Sequence, residues 1–426
     1  MPRERRAGAA TALVLVTVLV LVVRITAVDG EGAIERTTRR IRTLAQNAFD
    51  AWPMGGHGFH TRDLCARARN ETARSVLGQS AALALALDAT CDHVEGSMGD
   101  GRGKPLVLAT HGSPGVGKSM FHSALARAVY DVGASEEGEW VGGRTTCPGS
   151  GCRGYKVIFG TDYVARERDA QARMLRDAVT RHLERFPESI IVVEEYDKLG
   201  CPARGMLKQM LEHGSSGTSD GNPFDRVVAF ARSIFILEAN AGFMDVHDAS
   251  AARGRAPEGE ALVALQRKLR DGLFEKWRDD RCEDREDTLK AVGAIDVFVP
   301  FVPLDRVAVK AIVHAQLERR GRMKKLRDEL GRLEWDDAVL ETLVDEVEFE
   351  GEYAIEGGKE VAIVLSRCVT RALRLLAEAE IARAGTHSID SHASILRGRV
   401  VRLMKTPSGS SSRASGPVVA RVVDAT

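Results

Sequence analysis

Gly112-Ser113-Pro114-Gly115-Val116-Gly117-Lys118-Ser119 matches the pattern G-x-x-x-x-G-K-[ST] in full. Glycines at those intervals let backbone N–H groups turn inward around phosphate oxygens. The amine of Lys118 would reach the β- and γ-phosphates, and the hydroxyl of Ser119 is a ligand for Mg²⁺. Met120 follows at the start of a helix, whose N-terminus adds partial positive charge. A plain Gly-rich turn would explain the glycines alone. It would not explain the flanks, an apolar strand over 106–109 and a helical pattern over 120–130.

A second apolar run, 190–193, delivers Glu194-Glu195-Tyr196-Asp197. Beside a phosphate loop, the first carboxylate would enter the Mg²⁺ shell and the second would orient and activate the attacking water. The bland reading is a solvated acidic turn after a core strand. A third apolar strand, 233–237, ends in Glu238-Ala239-Asn240, and Asn240 could hydrogen-bond the attacking water or the γ-phosphate. Late in the chain Gly357-Gly358-Lys359 opens a helical pattern, and Lys359 could reach the phosphates from there. An Asn in a strand-to-loop turn and a solvated Lys after a turn are the competing explanations.

Positioning these groups requires strands alternating with helices, which means a buried parallel sheet. The expected fold is α/β, a P-loop sheet flanked by helices, with a smaller helical subdomain behind it. The large nucleotide-binding subdomain is expected over 63–303 and the helical one over 304–405, broken at 348–359 by a charged, Gly-containing stretch. A lead segment over 28–62 precedes them, with a helical stretch near 35–49. A disordered, Ser/Gly-rich tail is expected over 406–426.

The length of 426 residues allows two or three domains. Zero formal net charge argues against whole-protein binding to nucleic acid, and 5% aromatic residues argues against stacking platforms for single strands. Seven cysteines are too sparse for a disulfide scaffold, and the odd count leaves a thiol unpaired. Cys147 and Cys152 could pair with each other; a zinc site is the weaker reading, for want of a second ligand pair. Arg3, Arg5 and Arg6 precede an apolar run over 7–23, so residues 1–27 read as a cleaved signal peptide or an uncleaved signal anchor. Asn70-Glu71-Thr72 is a glycosylation sequon, which has meaning only in a secretory compartment.

The succession of phosphate loop, Glu-Glu strand, Asn strand and late Gly-Lys resembles an AAA+ ATPase, and most closely the torsin family, lumenal relatives of the Clp unfoldases. The resemblance runs over about residues 60–380 and rests on several stretches. They are Leu77-Gly78-Gln79, Lys104-Pro-Leu-Val-Leu, the strand ending Glu194-Glu195-Tyr196-Asp197-Lys198, and Asn240-Ala241-Gly242. Ile295-Asp-Val-Phe-Val-Pro-Phe-Val-Pro-Leu304 and Gln316-Leu-Glu-Arg-Arg-Gly321 complete them. It implies an ATPase that uses ATP and Mg²⁺ in the endoplasmic reticulum lumen or nuclear envelope, assembles as a homo- or hetero-oligomeric ring or filament, and remodels protein clients. It also implies weak basal turnover and a membrane-anchored activator whose ATPase-like lumenal domain donates an arginine. A Clp-type unfoldase and a non-hydrolysing nucleotide-gated scaffold are the alternatives.

The departures are informative. Ser119 stands where torsins usually carry Asn, and Glu194 where the usual residue is Asp. The family's Gly-Cys-Lys is Gly357-Gly358-Lys359, and Ile312 stands where the partner cysteine is expected, so no redox switch at the nucleotide is implied. Gly293 and Ala294 occupy the place where Clp-type relatives carry an arginine finger; Arg278, Arg281 and Arg285 lie upstream at the wrong spacing. The span 165–173 is charged where an unfoldase would display an aromatic-Gly loop, so processive threading is not implied.

Overall fold

The structure is a computed structural model that describes residues 58–59, 63–96, 104–130, 152–163, 168–213, 231–254, 256–282, 284–326, 329–384, 395–406 and 416–423. All fall within one compact unit, Gly56–Thr426. The leader, the stretch 35–49, Cys147 and most of the Gly/Cys-rich segment lie outside the described residues.

Helices α1 (Leu64–Ser75) and α2 (Ser80–Gly96) precede β1 (Leu106–His111) and α3 (Lys118–Tyr130). Then come β2 (Tyr155–Phe159), α4 (Arg168–Leu183), β3 (Ile190–Glu194), α5 (Cys201–His213) and β4 (Ile234–Ala239). Helices α6 (Phe243–Ala251), α7 (Glu260–Asp279) and α8 (Arg285–Gly293) lead to β5 (Val297–Pro300). The spacing over 63–87 is helical, and the structure places α1 and α2 there with a break at 76–79, where Gly78 has φ 77° and a Cβ would collide with Ala308.

The sheet runs β2-β3-β4-β1-β5, every pair parallel. Its central strands are buried on both faces, which is why they read as unbroken apolar runs rather than alternating ones. Side chains still alternate. Leu106, Leu108, Ile190, Val192, Ile234 and Ile236 pack on one face under Phe121 and Leu125 of α3. Val107, Ala109, Ile191, Val193, Phe235 and Leu237 pack on the other, with α4, α5 and α7. The register aligns Thr110, Glu194 and Glu238 on one rung at the carboxyl ends, on the α3 face.

A third core draws on residues between Leu304 and Val418. It is built from α9 (Arg306–Leu326), β6 (Arg332–Glu334), α10 (Asp337–Val344), β7 (Phe349–Glu350), β8 (Tyr353–Ala354), α11 (Gly358–Leu365) and α12 (Arg371–Ala384). The charged break at 348–359 contains the β7–β8 hairpin and runs into the start of α11. This region is helical with one sheet edge: β9 (Val400–Lys405) pairs β6 in parallel and β10 (Val418–Val423) antiparallel. A wholly disordered tail from 406 is therefore corrected for residues 416–423. Val418 is fully buried, and the apolar run 417–420 satisfies its backbone against β9 instead of water.

Bridges Cys65–Cys91 and Cys201–Cys282 close separations of 26 and 81 residues. The first joins α1 to α2; the second joins the start of α5 to the end of the α7 segment. Cys152 is also disulfide-bonded, and Cys368 is a buried free thiol whose pKa burial raises. No helix among the described residues is long and apolar enough to cross a membrane.

Candidate functional site

Gly112 to Gly117 form the loop between β1 and α3, and Lys118 and Ser119 begin α3. Gly115 has φ 81°, and a Cβ there would collide with the Glu356 carbonyl. That carbonyl is close because the late Gly-Gly-Lys docks on the loop: the Gly358 N–H donates to the Gly115 carbonyl at 2.9 Å. Lys359 is therefore brought to the phosphate loop, near enough that its charge helps depress the Lys118 pKa, after burial as the main cause. Ile312 packs against Gly358, so the two positions where the resemblance expects a cysteine pair are adjacent and hold no thiol.

Lys118 is 4% exposed, and its amine donates to the carbonyls of Gly112 and Ser113 and to Asn240 Oδ1, at 2.9, 3.0 and 2.9 Å. Those three oxygens hold the amine inside the loop, where phosphate oxygens could take their place. Ser113, Pro114 and Val116 complete the turn; Val116 is buried and Met120 is exposed on the first turn of α3. Gln79 fixes the loop from below. Its amide donates to the Val116 and Val302 carbonyls at 3.1 and 2.8 Å, and its Oε1 accepts from the Val302 N–H at 2.9 Å. Asp296 binds the other end of β1, accepting from the Val107 N–H at 2.9 Å and from Lys104 at 2.5 Å.

Glu194 and Glu195 part at the end of β3. Glu194 stays on the α3 face. Burial, then the nearby Glu238 carboxylate, raises its pKa. Glu195 turns out of the strand with φ 52°, the left-handed region that non-glycine residues avoid, and its carboxylate pairs with Lys198 at 2.7 Å.

Two acids and a histidine converge near Ser119. His122 Nε2 is 3.2 Å from Glu238 Oε2 and 3.7 Å from Glu194 Oε1, and the Ser119 hydroxyl donates to Glu238 at 3.2 Å. One ligand atom from each of His122, Glu194 and Glu238 lies within 4.8 Å of the others. This oxygen-rich pocket fits the divalent ion that a phosphate loop needs: Ser119 and Glu194 could hold it, and it would neutralise phosphate charge. Glu238 and His122 escaped the sequence reading. The available signal was one charged residue ending an apolar strand and a His three residues after Ser119, which shares its helix face.

On the opposite face His111 is buried with both nitrogens occupied. Nδ1–H donates to the Ala241 carbonyl at 2.8 Å, and Nε2 accepts from the Tyr196 hydroxyl at 3.1 Å. Burial depresses its pKa to about 4, so the ring is neutral at pH 7. His111 thereby ties the residue before Gly112, the residue after Glu195 and the residue after Asn240 together. Beyond Tyr196, Arg204 is 2% exposed, pairs with Asp280 at 2.9 Å and lies 5.1 Å from the Trp277 ring centroid.

The sheet order, the phosphate loop between β1 and α3, paired acids ending β3 and Asn240 after β4 define the P-loop fold of AAA+ ATPases. Known proteins agree. The chain is 27% identical to a torsin-like protein of Caenorhabditis elegans over 244 residues, 56% of this chain and 60% of that one. It is 23% identical to a torsin-like protein of Drosophila melanogaster over 250 residues, 58% of this chain and 65% of that one. The chaperone protein ClpB of Chlamydia muridarum is 24% identical over 163 residues, 38% of this chain but 17% of that one. No protein-family model matches. The chain is related to torsins and to AAA+ ATPases, and spans about six tenths of the torsin-like relatives it matches.

Proposed function

We propose that this chain is a torsin-like ATPase that binds ATP with Mg²⁺ and couples its hydrolysis to remodelling protein or membrane-associated partners. The observation that carries the reading is the meeting of Lys118, Asn240 and the Gly357-Gly358-Lys359 turn at one loop. In this reading Gly112 to Met120 cradle the phosphates, Lys118 and Lys359 counter their charge, and Ser119 and Glu194 hold the cation. Glu195 takes the proton of the attacking water, and Asn240 orients that water. Glu195 must first leave Lys198.

Activation in trans fits the chain. Gly293 ends α8 and Ala294 follows it where a finger arginine would stand, while Arg278 is paired with Asp279. A partner's arginine would supply the missing charge, which is worth orders of magnitude in rate. The disulfides suit an oxidising compartment, and Asn70 is exposed on α1, in keeping with the endoplasmic reticulum lumen or nuclear envelope. Like its AAA+ relatives, the chain would work as a ring or a filament.

ATP turnover is the test, measured for the chain alone and with the lumenal domain of a torsin activator. Little turnover alone and a large rise with the activator support the reading. Fast turnover that no added protein changes contradicts activation in trans.

A further inference from the structure

We infer that His122 and Glu238 join Ser119 and Glu194 as ligands of the divalent cation, giving a nitrogen-containing site that takes Mn²⁺ in preference to Mg²⁺. The inference rests on the nucleotide reading for its setting, and on four features of this chain for its content.

The first is register. Glu194 and Glu238 are direct partners on adjacent parallel strands, so both carboxylates stand on the α3 face at the same rung. The second is helical period, which puts Ser119 and His122 over that rung from one face of α3. The third is the state of the imidazole. His122 is 2% exposed, and its Nδ1 is engaged with the Tyr155 hydroxyl at 2.6 Å, which leaves Nε2 aimed at the two carboxylates. Engagement of the far nitrogen is how proteins orient a metal-ligating histidine. Tyr155 is itself seated by Ser123 at 3.4 Å, so the support continues outward. The fourth is charge. Two partly buried carboxylates stand on one rung with oxygens within 4.8 Å of the same histidine nitrogen, and like charges so placed repel. A cation shared between them removes that cost.

The donor set decides the preference. Mg²⁺ favours oxygen ligands in near-ideal octahedral geometry and keeps several waters. An imidazole nitrogen shifts a site toward the first-row transition ions, among which Mn²⁺ also accepts carboxylate and phosphate oxygens. A P-loop site with only Ser119 and Glu194 would offer no nitrogen and would give no ¹⁴N coupling.

The test uses the full chain without nucleotide, titrated with Mn²⁺ alone and followed by electron paramagnetic resonance of free and bound Mn²⁺. One Mn²⁺ should bind, with a ¹⁴N coupling from a single imidazole that disappears in His122→Ala. Glu238→Gln, nearly the same shape, should weaken Mn²⁺ at least tenfold, and Mg²⁺ should displace it only in at least tenfold excess. Circular dichroism melting confirms that each variant is folded. Binding of a fluorescent ATP analogue in EDTA is measured beside it. If the analogue binds but Mn²⁺ does not, or binds without ¹⁴N coupling, or yields to equimolar Mg²⁺, this inference is overturned and the nucleotide reading stands. If the analogue does not bind, the nucleotide reading fails on its own terms.

Discussion

The two faces of the central sheet end differently at its carboxyl edge. Toward α3 the last rung carries Thr110, Glu194 and Glu238, which face His122 and Ser119. Toward α5 and α7 the chain presents His111 and Tyr196, a neutral pair with every ring nitrogen bonded. The first face sets two carboxylates on one rung beside a buried histidine. The second holds three loops in fixed relation through hydrogen bonds to a neutral ring. Alternation along a strand is what separates them: the adjacent residues Thr110 and His111 of β1 serve opposite faces. Chemistry that needs mobile charge and structure that needs rigidity are thus built one residue apart.

The sharpest way to break this division is Glu195→Gln. Removing the general base should lower turnover by about 10²–10⁴-fold with ATP binding retained, measured as phosphate release and as bound nucleotide. Lys118→Ala acts on binding instead. Losing a charge-assisted contact to phosphate should weaken the ATP analogue about ten- to hundredfold, read by fluorescence anisotropy.

Stability answers to other probes. Reducing the bridges at Cys65–Cys91 and Cys201–Cys282 should lower stability by about 2–4 kcal/mol per bridge, read as a drop in melting temperature with dithiothreitol. His111 should make stability depend on pH. Its folded pKa, about 4, lies below the ordinary 6.5, so the unfolded chain binds the extra proton between those values. This contribution is complete above about pH 6.5 and is lost as pH falls toward 4, amounting to about 3 kcal/mol. Asp197 and Lys118 face the ring with opposite effects, behind burial. His111→Asn, which keeps the donor to Ala241, should flatten the melting-temperature profile over that window. The smallest effect is expected at Lys198→Ala. Its pair with Glu195 is exposed, so freeing the carboxylate should raise basal turnover by less than about fivefold.

Much of this was legible in the sequence because it is local. A phosphate loop, an apolar strand ending in acids and a polar strand end each lie within ten residues, and their types fix their chemistry. What was hidden depends on register and on distant partners. Glu238 becomes a neighbour of Glu194 only once β3 and β4 are paired, and His122 joins them only because α3 covers that face. Gln79 touches Val302 across 223 residues, which no local pattern reports. The disulfides were missed for the same reason, and β10 was lost in a Ser/Gly-rich context that hid a short apolar strand.

One measurement bears most directly on the central claim, that Glu195 performs the hydrolytic step at a phosphate loop organised by Lys118 and Asn240. It is single-turnover conversion of bound ATP to ADP by the full chain and by Glu195→Gln, with bound nucleotide quantified in both. The expected result is that both bind ATP, the parent converts it and the variant retains it. Equal conversion by the two, or no bound nucleotide in the parent, would contradict the account.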